Sequence, residues 1–250
     1  MSIAVRTGAR SSLGMSLPSL SALEVQALEV PGLAWRFSAR DLDPTGRGVS
    51  YRDGVGPGVF TSQGAVFHGT VGAPARPAAR FNGSAPAACV GQVMIPSSYT
   101  LYCLVTPNAD ASFQTLAASR TSTGDRAWLV SDVNRRLRLI HGGGEVISPT
   151  TYTSSQPYLA IAAYNQASGK GSVGLNTLNN FATGDLIAHK AELASAVGGI
   201  LNAGGAGTNN MNGWIEEVWA FEGSHVQPGL EHYREAVGAF LAGRAGIALA

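Results

Sequence analysis

The chain has few charged residues, and this scarcity narrows the classes of function open to it. Charged residues make up 13% of its 250 residues, with 17 basic against 16 acidic side chains and a formal net charge of +1. Only Lys170 and Lys190 are lysines. Clustered positive charge is what holds a phosphate backbone, so this balance argues against a nucleic-acid-binding protein.

Long apolar runs and the three-part pattern of a signal peptide are also missing. No stretch approaches the roughly 18 consecutive apolar residues of a transmembrane helix, so we expect no membrane insertion. The first 23 residues alternate small polar and apolar side chains without a basic, an apolar and a cleavage region. We therefore expect synthesis in the cytoplasm without Sec-type export.

Cysteine is scarce as well. Cys89 and Cys103 are the only two, and both lie in apolar, strand-like runs. That setting favours buried free thiols over a disulfide. A chain of this length buries a full core on folding, so it requires neither a disulfide nor a structural metal.

What the chain does have is a series of short apolar or alternating runs between Gly, Pro and Asn turn signals. Such spacing predicts an all-β fold, a two-sheet antiparallel jelly-roll sandwich, because no strand is followed by a repeated helix. Eleven strands are predicted, at residues 33–38, 59–67, 78–81, 87–95, 99–106, 113–118, 127–132, 136–141, 158–164, 172–176 and 214–221.

The two ends of the chain are patterned differently. Residues 1–30 show weak periodicity and many serines and are predicted to be an N-terminal arm, with the domain at 31–250. Near the C-terminus, Leu230, Tyr233, Val237 and Phe240 recur at helical spacing and predict one amphipathic helix that docks on the sheet. Residues 190–197 are interpreted as a shorter helix or turn.

Paired carboxylates are the first candidates for chemistry, because a glycosidase needs two. Glu216 and Glu217 are adjacent in a predicted strand, so alternation places Glu217 with Ile215 and Trp219 and points Glu216 to the other face. Two acids on opposite faces cannot act on one substrate. We therefore expect structural roles for both and no enzymatic activity; the five histidines form no catalytic or metal-binding spacing.

Two groups of residues are candidates for ligand binding. Arg136 and Arg138 share one strand face, and Arg126 precedes them by a turn, so together they predict a cationic strip for an anionic glycan or an acidic protein patch. Asn209 and Asn210 belong to a polar loop of the kind that carries recognition. The alternatives, a solvated strand face and a plain loop tip, remain open.

A metal site is a further candidate. Asp41, Asp43 and Asp53 lie in one Gly-rich loop region, and calcium takes such oxygen ligands. The spacing does not match an EF-hand, and aspartates that cap turns are the alternative.

Four segments together resemble the concanavalin A-like lectin/glucanase superfamily, in particular its laminin-G-like jelly rolls. They are residues 33–37 (LAWRF), 79–84 (ARFNGS), 213–221 (GWIEEVWAF) and 240–247 (FLAGRAGI). The resemblance implies a sandwich that binds carbohydrate or protein and cleaves glycans in some members, with Glu217 matching a mostly structural strand glutamate. The catalytic carboxylate cluster of the glucanases and the metal loop of the legume lectins are not found here.

Such domains also resemble structural proteins of tailed bacteriophages. This resemblance implies a non-catalytic structural or binding module of a phage or prophage particle: a head decoration, tail or fibre component that contacts host surface glycans. We expect a homo-oligomer in the virion, joined to other virion proteins through the N-terminal arm. A stand-alone carbohydrate-binding, lectin-like protein is the alternative, and a glycoside hydrolase is the third.

Overall fold

The computed structural model describes residues 20–42, 50–55, 58–83, 87–91, 95–108, 113–120, 126–188, 195–202, 205–206 and 209–250. Its helices are α1 (Ala22–Glu29) and α2 (Glu231–Ala245). Its strands are β1 (Leu33–Leu42), β2 (Ser50–Asp53), β3 (Val59–Gly64), β4 (Val66–Val71), β5 (Arg76–Asn82), β6 (Ala87–Gly91), β7 (Tyr99–Pro107), β8 (Gln114–Arg120), β9 (Arg126–Ser131), β10 (Arg136–His141), β11 (Gly144–Thr151), β12 (Tyr158–Asn165), β13 (Lys170–Leu175), β14 (Ala182–Asp185), β15 (Ala196–Val197), β16 (Leu201–Asn202), β17 (Gly205–Ala206) and β18 (Asn212–Glu222).

The strands form two antiparallel sheets packed as a sandwich, which confirms the predicted fold class. One antiparallel path runs β11-β10-β9-β8-β15-β6-β3-β2-β1-β18-β7-β12-β13-β14, while β5 joins β18 and β4 joins β5. The path folds over on itself, so that β10 and β11 at one end lie against β13 and β14 at the other. Tight turns with positive φ at Gly142 and Gly169 connect β10 to β11 and β12 to β13, as the glycine signals predicted.

The main core lies between the two layers and is rich in aromatic side chains. Trp35, Phe37 and Phe60 form a cluster of ring contacts at its centre, with centroids 5.4 and 5.6 Å apart. Cys89 and Cys103 belong to the same core and are buried free thiols, as predicted. Burial raises the pKa of both thiols, because a thiolate would lose its hydration there.

A second, smaller core lies on the outer face of the sheet that contains β7, β12 and β18. The stripe of α2 formed by Val237, Phe240 and Leu241 packs there against Trp219 and its neighbours, which confirms the predicted docking of the C-terminal helix. Gly246 ends α2 in the left-handed conformation. No helix in the described ranges is long and apolar enough to span a bilayer.

The N-terminal helix was not predicted. Residues 20–30 were assigned to the arm, whereas α1 packs its Ala27 into the second core beside α2. The Glu24 N–H donates to Ser21 Oγ (3.1 Å), an N-cap whose Ser-x-x-Glu signal is present in the sequence. The folded domain therefore includes residues from about Leu20 onward.

Two other local predictions were wrong. Ala196 and Val197 were predicted to be helix or turn but form β15, which pairs with both β6 and β8, so sheet pairing overrides the local pattern. The predicted strand at 59–67 is two strands, because Gly64 adopts a positive φ and the chain bends at residue 65, between β3 and β4. Strands β2, β11, β14, β16 and β17 were not predicted.

Candidate functional site: an exposed aromatic platform beside a buried ion-pair network

Strand β18 organises both features. One of its edges pairs with β7, while its other edge pairs first with β5 and then, after residue 215, with β1. At this change of partner Ile215 pairs with Val105 and Glu217 with Leu104, so Glu216 is an extra residue, a β-bulge.

The bulge overturns the predicted alternation. Ile215 points into the main core with Val218, not to the side of Glu217 and Trp219. Glu216 and Glu217 both lie toward the outer face, where Arg76 of β5 binds the first and Ser38 of β1 contacts the second. The expectation that they occupy opposite faces was wrong, because one inserted residue shifts the period of two.

Glu217 is fully buried and is surrounded by donors. Its Oε1 accepts from Ser38 Oγ (2.7 Å) and from Arg244 of α2, and its Oε2 accepts from Trp219 Nε1 (2.8 Å). Arg40 Nε lies 3.8 Å from Oε1. Burial alone would raise the pKa of Glu217, but these cations and the indole N–H outweigh it and lower the pKa.

Glu216 is equally buried, and among the described residues Arg76 is the cation that hydrogen-bonds to it. Arg76 donates through Nε (2.7 Å) and Nη2 (3.1 Å) to the two carboxylate oxygens in a bidentate pair. Burial raises the pKa of Glu216, and this effect outweighs the lowering by Arg76 and Arg244. The two carboxylates therefore have pKa values shifted in opposite directions, as in many acid–base pairs, yet neither has exposed surface for a substrate.

The network extends to α1 and the start of the loop after β1. Glu24 of α1 pairs with Arg40 and lies 3.6 Å from Arg36 Nη1. Arg36 also pairs with Asp41, and its guanidinium lies over the Trp219 ring at 5.4 Å. These ion pairs join both helices to β1 and β18.

The predicted calcium site is only partly described. Asp41 is engaged by Arg36, while Asp43 and the side chain of Asp53 lie outside the described residues. No group of three His, Cys, Asp or Glu side chains in the described ranges is arranged to hold a metal ion. Calcium binding stays a prediction.

The predicted cationic strip is matched by acids. Asp132 is buried and accepts from Arg138 Nε (2.9 Å) and from the N–H groups of Asn134 and Arg136. Burial raises the pKa of Asp132, but these donors outweigh it and lower the pKa. Arg138 also pairs with Glu145 at 3.0 Å.

These pairs leave little unmatched charge at Arg136 and Arg138, and the side chain of Arg126 lies outside the described part. The two positions do share one face, as predicted. Ligand binding at this strip stays a prediction.

The predicted recognition loop is attached to the sheet where the structure describes it. Asn210 is buried, and its Oδ1 accepts from the Ala87 N–H at 3.2 Å. The Asn209 carbonyl accepts from both the N–H and the hydroxyl of Thr115. Both asparagines therefore hold this loop to β6 and β8; a role in ligand binding has not been tested.

The most conspicuous exposed feature is a row of side chains that the sequence analysis did not select. Phe67 of β4 pairs in register with Arg80 of β5, which in turn pairs with Trp214 of β18. Residues directly opposite each other share a face, and this face points away from the main core. We call Phe67, Arg80 and Trp214 the aromatic platform; Phe67 is 56% exposed and Arg80 is exposed.

The indole of Trp214 lies across β5 toward β4. A Cβ on Gly69 would approach the indole Cζ3 to 2.9 Å, so the ring reaches over this glycine. Ala78, the register partner of Gly69, is fully buried on the same face. The Arg80 guanidinium lies over the indole at 5.5 Å, a cation–π contact.

Polar groups flank the platform. Thr106 of β7 pairs in register with Trp214 and is 6% exposed, and its hydroxyl makes no hydrogen bond within the described residues. In the next row Asn82 pairs with Asn212, so two amides border the rings. Flat apolar rings with a few polar groups around them are the composition of a small-ligand site.

The comparisons with known proteins show the fold. No protein-family model matches this chain, and no curated protein matches it by sequence. Domain 4 of a GH43 extracellular arabinanase from Geobacillus stearothermophilus, in complex with arabinotriose, has a TM-score of 0.55 at 18% identity and covers 80% of this chain and 97% of that domain.

Trypanosoma rangeli sialidase in complex with sialic acid has a TM-score of 0.58 at 16% identity over 92% of this chain. A second structure of that sialidase, with a difluorinated KDN, has a TM-score of 0.59 at 15% identity. This chain covers 34% to 36% of the sialidase length. The neighbours are thus β-sandwich domains of carbohydrate-active proteins, compatible with a lectin-like jelly roll.

Proposed function

We propose that this domain is a non-catalytic module that binds carbohydrate on the aromatic platform. The observation that carries the proposal is the register of β4, β5 and β18, which aligns Phe67, Arg80 and Trp214 on one uncovered sheet face. Neighbouring strands are about 4.8 Å apart, so the backbones at Phe67 and Trp214 lie roughly 10 Å apart, and the indole spans this width as far as Gly69.

The chemistry of the platform suits a sugar. The C–H groups on one face of a pyranose or furanose ring pack on an aromatic ring, while its hydroxyls need donors and acceptors at the rim. Asn82, Asn212 and Arg80 supply these polar groups. The arabinotriose bound to the arabinanase domain of similar fold adds support.

A glycan array followed by calorimetry on the best ligand tests the proposal. Phe67→Ala removes an exposed ring, and Trp214→Ala removes the indole that lies over Gly69. Each variant should bind the sugar about tenfold or more weakly, because an aromatic contact contributes roughly 1 kcal/mol in addition to the free energy of burying its apolar area. The matched control is Ile187→Ser, because Ile187 is 60% exposed and lies outside the platform.

The affinities of the variants show which residues bind the ligand. Unchanged affinity in both aromatic variants would reject the platform, and loss of binding in Arg136→Gln or Arg138→Gln would assign the ligand to the strip on β10 instead. Circular dichroism of each variant checks that the fold is retained.

The absence of catalysis is part of the proposal. It is supported by the burial of Glu216 and Glu217 and by their pairing with Arg76 and Arg244. We expect no release of reducing sugar from any glycan that the array identifies. Turnover that disappears in Glu216→Gln or Glu217→Gln would contradict this part.

A phage or prophage particle is the proposed setting of the module, with the virion as its location and other virion proteins as its partners. The serine-rich, weakly periodic residues 1–19 support a contact arm, whereas α1 (Ala22–Glu29) packs beside α2 and is left out of the proposed arm. Deleting residues 2–19 should leave a folded domain that no longer assembles with copies of itself. Unchanged assembly of this variant would reject the proposed role of the arm.

Mass spectrometry of purified virions tests the proposed location.

A further inference from the structure

Arg80 differs from the other arginines near the sheet faces in having no acidic partner. Each of six other arginines lies within 4.0 Å of a carboxylate oxygen: Arg36, Arg40, Arg76, Arg136, Arg138 and Arg244. Among the described residues no carboxylate lies within that distance of Arg80, whose guanidinium contacts the Trp214 ring. Arg80 therefore carries a positive charge that no described acidic side chain matches, on the sheet face of the aromatic platform.

The position of Arg80 leaves its guanidinium accessible to a ligand. Arg80 is exposed and lies between Phe67 and Trp214, on the middle strand of the three. A guanidinium that lies over an indole is oriented by the ring but keeps its N–H groups at its edge, free to donate in the ring plane. Arg76, four positions away on the same face, is neutralised by Glu216 and does not compete for an anion.

We propose that the platform binds a sugar that carries a carboxylate, with Arg80 donating two N–H groups to the two carboxylate oxygens while Trp214 and Phe67 pack against the sugar rings. This inference rests on the proposed function of the same site. The geometry combines a planar fork for a planar carboxylate with apolar rings on both sides, which lower the local dielectric and strengthen the charge-assisted pair. A neutral sugar would leave the Arg80 fork facing water.

Two matched ligand pairs separate the two sources of such a sugar. Trigalacturonic acid and its fully methyl-esterified form differ in the charge of a uronic acid, and sialyllactose and lactose differ in one sialic acid. Titration of the full chain should show that the acidic member of at least one pair binds more tightly than its neutral member by about tenfold or more, the increment of a charge-assisted bidentate contact. Added salt should reduce the difference.

Variants assign the difference to its cause. Arg80→Gln should bind both members of the pair alike, and Arg80→Lys, which keeps the charge but loses the fork, should keep only part of the preference. Trp214→Ala should weaken both members. Lys170→Gln is the matched control, since Lys170 is an exposed cation that pairs with Asp185 and lies outside both candidate sites; it should leave the preference unchanged.

The outcomes for the ligand class and for the proposed function are distinct. Equal affinity for acidic and neutral members, or a preference that survives in Arg80→Gln, overturns the carboxylate inference but leaves carbohydrate binding intact if Trp214→Ala still weakens binding. No measurable affinity for any sugar overturns both proposals. Binding of a single-stranded oligonucleotide in place of sugars, lost in Trp214→Ala, would also overturn both.

Discussion

The buried carboxylate of Glu217 is the group whose alteration should affect stability most. In Glu217→Gln the shape is kept, but each former partner is a donor: Ser38 Oγ at 2.7 Å, Trp219 Nε1 at 2.8 Å and the guanidinium of Arg244. A glutamine offers one acceptor oxygen, so its amide N–H₂ group would face at least one donor with no water between them.

The loss of charge adds to this mismatch. Arg244 of α2, whose side chain is only 15% exposed, would be left without its anion. Removing one member of a buried ion pair costs about 3–5 kcal/mol, which for a chain of this size corresponds to a fall in Tm of about 6–20 °C.

Urea unfolding followed by circular dichroism at pH 7 measures this loss. The control is Glu222→Gln, at the exposed end of the same strand, which should change the free energy of unfolding by less than about 0.5 kcal/mol. A Glu217→Gln variant that unfolds with the stability of the control would refute the argument.

The pH dependence of the free energy of unfolding tests whether the charge of Glu217 causes this loss. The pKa of Glu217 is lowered in the folded state, so its ionised form stabilises the fold above its unfolded pKa of about 4.3, and that contribution disappears as the pH falls through the folded value. The stability difference between wild type and Glu217→Gln should therefore narrow in acid. A constant difference down to pH 2 would show that charge is not the cause.

Three further predictions follow from local geometry. Gly69→Val should tilt the Trp214 indole, because its Cβ would lie 2.9 Å from the ring, and should weaken sugar binding without lowering Tm by more than a few degrees. Burial lowers the pKa of His225 to about 4, so stability should decrease by about 2–3 kcal/mol as the pH falls from 6.5 to 4, and this slope should be absent in His225→Gln. Gly213→Ala should cost about 2–3 kcal/mol in urea unfolding, since its Cβ would lie 2.4 Å from a β7 carbonyl oxygen, whereas Gly243→Ala, with open space around the added methyl, should be neutral or stabilising.

The fold class was predictable because the longer strands are apolar or alternating runs between turn signals, and each of the eleven predicted strands overlaps an observed one. The strands that were not predicted lack that signal. Strand β14 (ATGD) has no large apolar side chain, and β11 contains Gly144 and Pro149, which weaken a strand pattern. Helix α1 was predictable from Ser21 and Glu24, but its eight residues give only a short apolar pattern.

The candidate site could not be predicted, because it depends on register between segments far apart in the chain. Phe67, Arg80 and Trp214 are separated by 13 and 134 positions in sequence, and nothing local shows that they share one row. The bulge at Glu216 is similarly invisible, since the run from Trp214 to Phe221 (WIEEVWAF) has no strict alternation of polar and apolar residues that an inserted residue would break. In both cases pairing partners decide the face, which sequence periodicity alone does not contain.

The buried ion pair and the exposed platform are connected through the end of β5. The ladder between β5 and β18 has its last register pair at Ala79 and Ile215, just before the bulge. Beyond that point the bidentate pair of Arg76 with Glu216 takes over the attachment of β5 to β18. A buried, geometrically specific ion pair is well suited to fixing register. Since a slip of one residue would turn Arg80 from the outer face to the core, we infer that this pair holds the platform in its row. The bulge contributes by placing Glu216 where Arg76 can reach it.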